Sequence, residues 1–399
     1  MAKRIPYAKH LESVACLLLA VCFIAGAGLE LRAQSVLDTK PGAPAAEPHP
    51  EGWWPKEGSA ARNAYTGPEA CAPCHRAESA GWEATQMAHA ITPAAESTFL
   101  LAHPHMAYKW GPYTYQINVA GNQAIYTVTD GEHSLSIPLL WAYGTGVVGQ
   151  AFLFRIDQTY YEAEVAFYPV LDRLDVVAGL VRNAPPTLQQ AFGLPLSSSA
   201  ARQCIACHTT AAVTGNQLRV DSMILGVTCE ACHGPGARHV AAMKALSNLS
   251  EGAKPAATFI FEPAKLAPTD LENFCGACHR TSLRVISEGL HGLDTVHYEP
   301  YRLEMSQCWI MSQQITCVTC HNPHQPLERN PAAYDADCLS CHSGKTGSST
   351  AVVMGKTCPV ATRNCVTCHM PKCRLPLSPF TMSDHFIRVV RPGDACAKS

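Results

Sequence analysis

Thr316-Cys-Val-Thr-Cys-His-Asn-Pro-His324 sets two thiols three residues apart, an imidazole directly after the second, and another histidine three residues further on. The Cys-x-x-Cys-His core of this stretch occurs seven times: Cys71/Cys74/His75, Cys204/Cys207/His208, Cys229/Cys232/His233, Cys275/Cys278/His279, Cys317/Cys320/His321, Cys338/Cys341/His342 and Cys365/Cys368/His369. Random placement at this cysteine and histidine content would give about 0.05 such motifs, so the repetition has a chemical cause. Two thiols at this spacing both reach the vinyl groups along one haem edge, and the next residue offers its imidazole to the iron. Structural zinc needs four ligands and does not demand a histidine after every second cysteine. Disulfides alone would impose no such regularity. The sequence therefore predicts seven covalently bound haem c groups, with the paired cysteines as attachment points and the motif histidines as proximal iron ligands.

The start of the chain agrees, because covalent haem attachment belongs to exported proteins, as disulfides do. Lys3, Arg4 and Lys9 precede an apolar run from Val14 to Leu29, the pattern of a signal peptide over residues 1–33 with cleavage after Ala33. An uncleaved signal anchor is the one route to a membrane, since no later stretch is long and apolar enough to span a bilayer. Val21 before Cys22 argues against a lipoprotein site. The expected location is the periplasm or the extracellular surface, reached by Sec export. A formal net charge of -2, with acids and bases nearly balanced, carries no nucleic-acid footprint. Once Cys16 and Cys22 leave with the signal, Cys308, Cys358, Cys373 and Cys396 stand outside the motifs. One or two structural disulfides are expected there, and sequence allows three pairings.

Residues 34–65, rich in Pro, Ala, Gly and Glu without apolar periodicity, read as a flexible arm. Residues 66–104 hold the first haem site and a helix expected over Glu78 to Ala90. The pattern then turns to strands. Tyr113, Tyr115, Ile117 and Val119 alternate with polar residues, Gly121-Asn122 marks a turn, and Ala124, Tyr126 and Val128 alternate again. Phe152, Phe154 and Ile156, then Tyr161, Ala163, Val165 and Phe167, repeat that signature around a turn at Asp157. An antiparallel β module over 105–195 is expected, as one sheet or a small sandwich. Residues 196–394 form a six-haem cytochrome region in which haem plates replace much of the aliphatic core, and 395–399 are a tail. The fold class is a multihaem cytochrome: mainly short α-helices and loops wrapped around stacked haems, with an inserted antiparallel β module. Apoprotein should fail to fold.

Ten histidines remain after the motifs and His10: His49, His89, His103, His105, His133, His239, His291, His297, His324 and His385. Ten for seven irons favours bis-histidine coordination. His239 follows His233 by six residues and His324 follows His321 by three, tethers too short to pass around the same porphyrin, so each should reach a neighbouring haem. A continuous helix from His75 to His89 would separate them by about 21 Å, excluding a shared iron as well.

The runs Cys71-Ala-Pro-Cys-His75 through Trp82 and Thr85 to His89-Ala90, and Cys229-Glu-Ala-Cys-His-Gly-Pro-Gly-Ala-Arg-His239, resemble the cytochrome c-554 type multihaem cytochromes. Pro300-Tyr-Arg302 with Ser306 and Cys308, the Thr316–His324 run, Cys365-Val-Thr-Cys-His-Met-Pro-Lys372 and Asp384-His385 look like exported bacterial relatives of that superfamily. The resemblance covers nearly all of 67–394 and implies closely stacked, electron-passing haems with His89, His239, His324 and His385 as second iron ligands. Two departures stand out: His297 occupies the place of an expected arginine, and Leu377 to Thr381 lacks an expected histidine. The leading functional expectation is electron transfer between a quinone-linked donor and a terminal acceptor, with redox proteins as partners. The competing reading is a multihaem oxidoreductase acting on a small nitrogen or sulfur compound at a five-coordinate haem. Against it, no Cys-x-x-Cys-Lys motif is present and the sequence marks no Arg, Tyr and His set beside one haem. A third reading makes the β module a docking surface in a cytochrome complex or filament. Pyridine haemochrome titration of the purified holoprotein should give seven haems per chain; a value clearly below seven contradicts the assignment.

Overall fold

Aromatic and β-branched residues at every second position build the first ordered module. In the computed structural model, which describes residues 53–56, 60–179, 183–247, 257–342, 357–391 and 396, these runs form strands where alternation requires them. The expected signal segment lies outside those residues. Strand β1 is Ile91–Pro93, β2 His105–Trp110, β3 Tyr113–Ala120, β4 Gln123–Thr129 and β5 Ser134–Pro138. Next come β6 Trp141–Tyr143, β7 Ala151–Ile156, β8 Thr159–Glu162, β9 Val165–Tyr168, β10 Arg173–Val176 and β11 Leu194–Pro195. Antiparallel β2-β3-β4-β5 form one sheet and β1-β6-β7-β8-β11 another, while β9 pairs with β10.

The β3–β4 hairpin closes with Ala120 opposite Gln123, and Gly121 takes the left-handed conformation of the turn at φ +60°. That register sends Tyr115, Ile117, Tyr126 and Val128 inward, all fully buried, against Phe152 and Phe154 of the other sheet. The module is therefore a sandwich. Tyr126 stacks on Phe192 at 5.5 Å and lies 5.9 Å from Phe154, and each such ring contributes about 1.5–3 kcal/mol by burial.

Two boundaries differ from expectation. The sheet reaches back to Ile91, because β1 pairs with β6, Ile91 opposite Tyr143. The helix after the first motif is Arg76–Glu83 and stops before the expected Ala90. Thr85 ends it: its hydroxyl donates to the Trp82 carbonyl at 2.6 Å and accepts from the Ala88 amide at 3.2 Å, a local alternative to the helical ladder. The arm expected over 34–65 is also corrected in its described part. Trp54 and Tyr65 are buried, Trp54 meets Phe274 edge-on at 5.2 Å, and the Trp53 indole donates to the Ala231 carbonyl at 3.1 Å. Indole rings supply an anchor that composition alone hides.

Helices and loops follow the sandwich, and motif histidines sit at or just past helix ends: Ser198–His208, Cys229–His233, Pro268–His279, Cys317–Cys320, Asp335–His342 and Cys365–His369. Leu153 on the outer face of the second sheet packs with Ile205 of the Ser198–His208 helix, so the sandwich forms a wall behind the second motif. Among the non-motif cysteines, Cys373 and Cys396 form a disulfide with a Cα–Cα distance of 5.3 Å, tying down the expected tail, while Cys308 and Cys358 stay reduced.

Glu164 is buried, close enough to the core tyrosines Tyr115 and Tyr126 for its charge to act on them, and burial, with the Glu162 charge second, pushes its carboxyl from 4.5 up to about 7. The folded chain thus holds a proton that the unfolded chain releases between those values, so stability falls as pH rises through this window. Glu164→Gln should show a smaller drop in Tm between pH 5 and pH 8 than the wild type; an unchanged drop assigns the pH dependence elsewhere.

Candidate haem-binding sites

A Cys-x-x-Cys-His segment in helical conformation puts both thiols and the imidazole on one face, since residues three and four apart are neighbours there. Six motifs have that backbone; the first forms the equivalent turn, with the Cys74 and His75 amides both on the Cys71 carbonyl. Thr316 fixes the fifth by a capping box with Thr319.

Three motif histidines face a histidine from another part of the chain. The His75 and His239 ring centroids lie 6.3 Å apart, His233 and His324 6.0 Å, and His321 and His385 6.2 Å. Two imidazoles bound to one metal from opposite sides, with N–metal bonds of about 2 Å, put their centroids roughly 6 Å apart. The tautomer is set to match. Nδ1 of His233 donates to the Phe261 carbonyl at 2.9 Å, that of His239 to Thr258 at 2.7 Å and that of His385 to Ser383 at 3.2 Å, leaving Nε2 for the iron. His208 and His369 are oriented in the same way, by Ala90 at 2.9 Å and Arg388 at 2.8 Å. His279 instead has the Glu299 carboxylate 3.6 Å from Nδ1, which raises the imidazole to about 9 against the opposing effect of burial.

Among the described residues, four other spare histidines have protein partners. His89 turns its Nε2 onto the Glu83 carbonyl at 2.9 Å and belongs to none of the three pairs. His103 bridges the Phe99 carbonyl and Asp172, His105 bonds Asn118, and His133 lies beside Asp130, all within the sandwich.

Attachment thiols of different motifs also meet. Cys71 is hydrogen-bonded to Cys229, Cys207 to Cys278, Cys275 to Cys317 and Cys338 to Cys365. Cys341 and Cys368, the second cysteines of the sixth and seventh motifs, meet a neighbouring hydroxyl. The Cys341 sulfur lies 3.7 Å from the Ser340 hydroxyl, and the exposed Cys368 sulfur lies 3.9 Å from the Thr367 hydroxyl. Each thiol is thus engaged by the residue just before it. The reason is local: a short hydroxyl side chain precedes both cysteines, and each hydroxyl is held in place by a carbonyl three residues back, Asp337 for Ser340 and Asn364 for Thr367, both at 2.7 Å.

The packing between motifs is tight. A Cβ on Gly81, in the helix after the first motif, would lie 2.3 Å from the His324 carbonyl oxygen. The residues present suit haem c: thiols to attach it, imidazoles to hold the iron, and buried donors in need of acceptors. Among the described residues His297 Nδ1, Trp309 Nε1 and Arg388 Nη2 are buried without a partner, and haem propionates are acceptors of the kind such groups require.

Comparison with known proteins agrees with these features. The family described as Cytochrome c554 and c-prime matches residues 185–234, which include the second and third motifs. Multiheme cytochrome MtrA of Shewanella baltica (strain OS185) is 26% identical over 193 residues, 38% of this chain and 55% of the relative. The chain is a multihaem c-type cytochrome. It spans about half the length of that curated relative. The outer cell wall cytochrome OcwA is similar in structure at a TM-score of 0.45 and 15% identity, covering 83% of this chain and 81% of the other. The attachment motifs, the family match and the MtrA relative imply covalently bound haem c. Among its described residues, no helix is long and apolar enough to cross a membrane.

Sequence reasoning missed two groups in the cytochrome. Arg280, next to His279, takes a left-handed backbone at φ +70°, and its guanidinium lies 2.6 Å from His297 Nε2 and 4.8 Å from the Tyr298 ring centroid. Burial, and then the Arg280 charge, lower His297 to about 4, so it stays neutral. The fold thus brings an Arg, a His and a Tyr together beside the fourth motif, a juxtaposition that sequence spacing does not mark. The second group comprises Glu230, Glu272 and Asp335, carboxylates that each bind backbone amides at another motif. Glu272 is fully buried, which pushes it up to about 6 although the Cys317 amide and thiol pull it back. Acids three residues before Cys275 and Cys338 were the available signal.

His385 is held by a buried ion pair. Arg302 grips Asp384 through Nε and Nη2 at 2.8 and 2.7 Å, both side chains fully buried, and Ser306 accepts the Ile387 amide at 2.8 Å. Asp384 also binds Arg388, Nη1 to Oδ2 at 2.8 Å, so removing Arg302 leaves the buried carboxylate one cation, at a cost toward the lower end of about 3–5 kcal/mol. Arg302→Ala should lower stability by that amount and convert part of one low-spin haem to high spin by loosening His385; a fully low-spin spectrum would rule out the positioning role.

Proposed function

We propose that this cytochrome carries seven haems and relays electrons outside the cytoplasm between a quinone-linked donor and a terminal acceptor. The observation that carries this reading is the three cross-segment imidazole pairs at 6.0–6.3 Å. An iron with both axial positions filled has no site for a substrate, so its chemistry is gain and loss of one electron. His239, His324 and His385 act as distal ligands of the first, third and fifth haems, and His89 is assigned a distal role by resemblance alone. Attachment of the sixth and seventh haems at Cys341 and Cys368 rests on motif spacing, as it does at the other five motifs. The links also join into one network. Imidazole pairs connect motifs one with three, three with five and five with seven, and the thiol contacts add two with four, four with five and six with seven. Every motif is thereby connected to every other, as a relay needs. Export through the 1–33 signal, redox-protein partners and haem wrapping by the 196–394 region belong to the same proposal.

One observation favours a second reading. Arg280, His297 and Tyr298 beside the fourth motif supply a cation, a neutral imidazole and an aromatic wall where a small nitrogen or sulfur oxyanion could meet a five-coordinate haem. The readings separate spectroscopically. The relay predicts a largely low-spin bis-histidine holoprotein indifferent to carbon monoxide and nitrite; a high-spin haem that binds either one, and loses that binding in Arg280→Gln, supports the oxidoreductase.

A further inference from the structure

Glu272 and Asp335 repeat one arrangement, and Glu230 makes a related link. Glu272 stands three residues before Cys275 of the fourth motif and accepts the Cys317 amide of the fifth at 2.7 Å. Asp335 stands three residues before Cys338 of the sixth motif and accepts the Cys365 amide of the seventh at 2.8 Å and the Asn364 amide at 2.7 Å. Glu230, inside the third motif and 1% exposed, accepts the Thr66 and Gly67 amides ahead of the first at 2.9 and 2.8 Å, plus the Gly236 amide at 2.7 Å. In each case the attachment thiols of the two motifs meet as well: Cys275 with Cys317, Cys338 with Cys365, and Cys71 with Cys229.

An amide at the start of a helical turn has no partner within the turn, and a carboxylate satisfies it with a charge-assisted bond. Here the carboxylate comes from a different motif, so the bond that caps one attachment segment also fixes its distance from another. With haem attached at the first cysteine, displacing the Cys317 or Cys365 amide would displace the haem edge, and displacing Thr66 and Gly67 would shift the turn that leads into Cys71. A carboxylate beside the attachment segments of two motifs would also favour the ferric over the ferrous state of haems bound there, charge being one lever on haem potential.

We propose that Glu272, Asp335 and Glu230 are positioning residues that splint three haem pairs, four with five, six with seven and one with three, and lower the reduction potentials of each pair. The proposal rests on haem attachment at these motifs and deepens the relay reading. It is tested on the full-length holoprotein with Glu272→Gln and Glu272→Ala, with Asp221→Asn as an exposed-charge control. The readouts are haem content, magnetic coupling between low-spin haems by electron paramagnetic resonance, and midpoint potentials from a spectroscopic redox titration. Glu272→Gln keeps an acceptor oxygen and should keep the coupling, with upward-shifted midpoints for two haems. Glu272→Ala should lose the coupling of one haem pair at unchanged haem content, and Asp221→Asn should match the wild type.

Wild-type coupling and midpoints in Glu272→Ala would overturn the proposal, as would a wild type without coupled haems. If Glu272→Ala fails to mature, unchanged midpoints in Glu272→Gln overturn it alone. Failure of the relay reading shows differently, as substrate binding at a high-spin haem in the wild type.

Discussion

An iron in a porphyrin takes its axial ligands from opposite faces of a rigid plate, and this constraint organises the cytochrome. A histidine three or six residues past one motif cannot travel around the plate to the other side of the same iron. On the proposed assignment it serves a neighbour. His239, close behind the third motif, faces His75 of the first; His324, behind the fifth, faces His233 of the third; and His385, behind the seventh, faces His321 of the fifth. Short tethers thereby become long-range links, and order along the chain becomes order in space. Backbone carbonyls on Nδ1 complete the device by fixing which nitrogen points inward.

The β sandwich obeys different rules. Its interior is an ordinary aromatic core of Tyr115, Tyr126, Phe152, Phe154 and Phe167, assembled by period-two alternation and needing no cofactor. It meets the haem region through Leu153 and Ile205 and through Tyr143, whose ring meets His208 edge-on at 5.5 Å. The second motif is thus held by conventional packing on one side and by its contact with the fourth motif on the other.

What could be read from the residues was what local spacing determines. The seven motifs and both hairpins, with turns at Gly121 and Asp157, follow from neighbours within a few positions. The tether argument went further, because excluding a histidine from its own iron needs only a short distance along the chain. Features built from distant residues were hidden. Trp54 finds Phe274 across the fold, Glu272 finds Cys317, and Arg280 finds His297, and nothing near those positions announces the partner. The helix after the first motif was read too long because Thr85 can serve a helix or end one, and its hydroxyl chose the Trp82 carbonyl.

The central claim, that the histidine behind one motif ligates the iron of another, is tested most directly by moving a high-spin signal. His324→Ala should convert one haem from low to high spin in the purified holoprotein, as seen by electron paramagnetic resonance. Adding Cys229→Ala and Cys232→Ala, which removes the third haem, should abolish that signal. Adding Cys317→Ala and Cys320→Ala, which removes the fifth haem beside His324 in sequence, should leave it in place. A high-spin signal that disappears with the fifth haem and survives loss of the third would contradict the account.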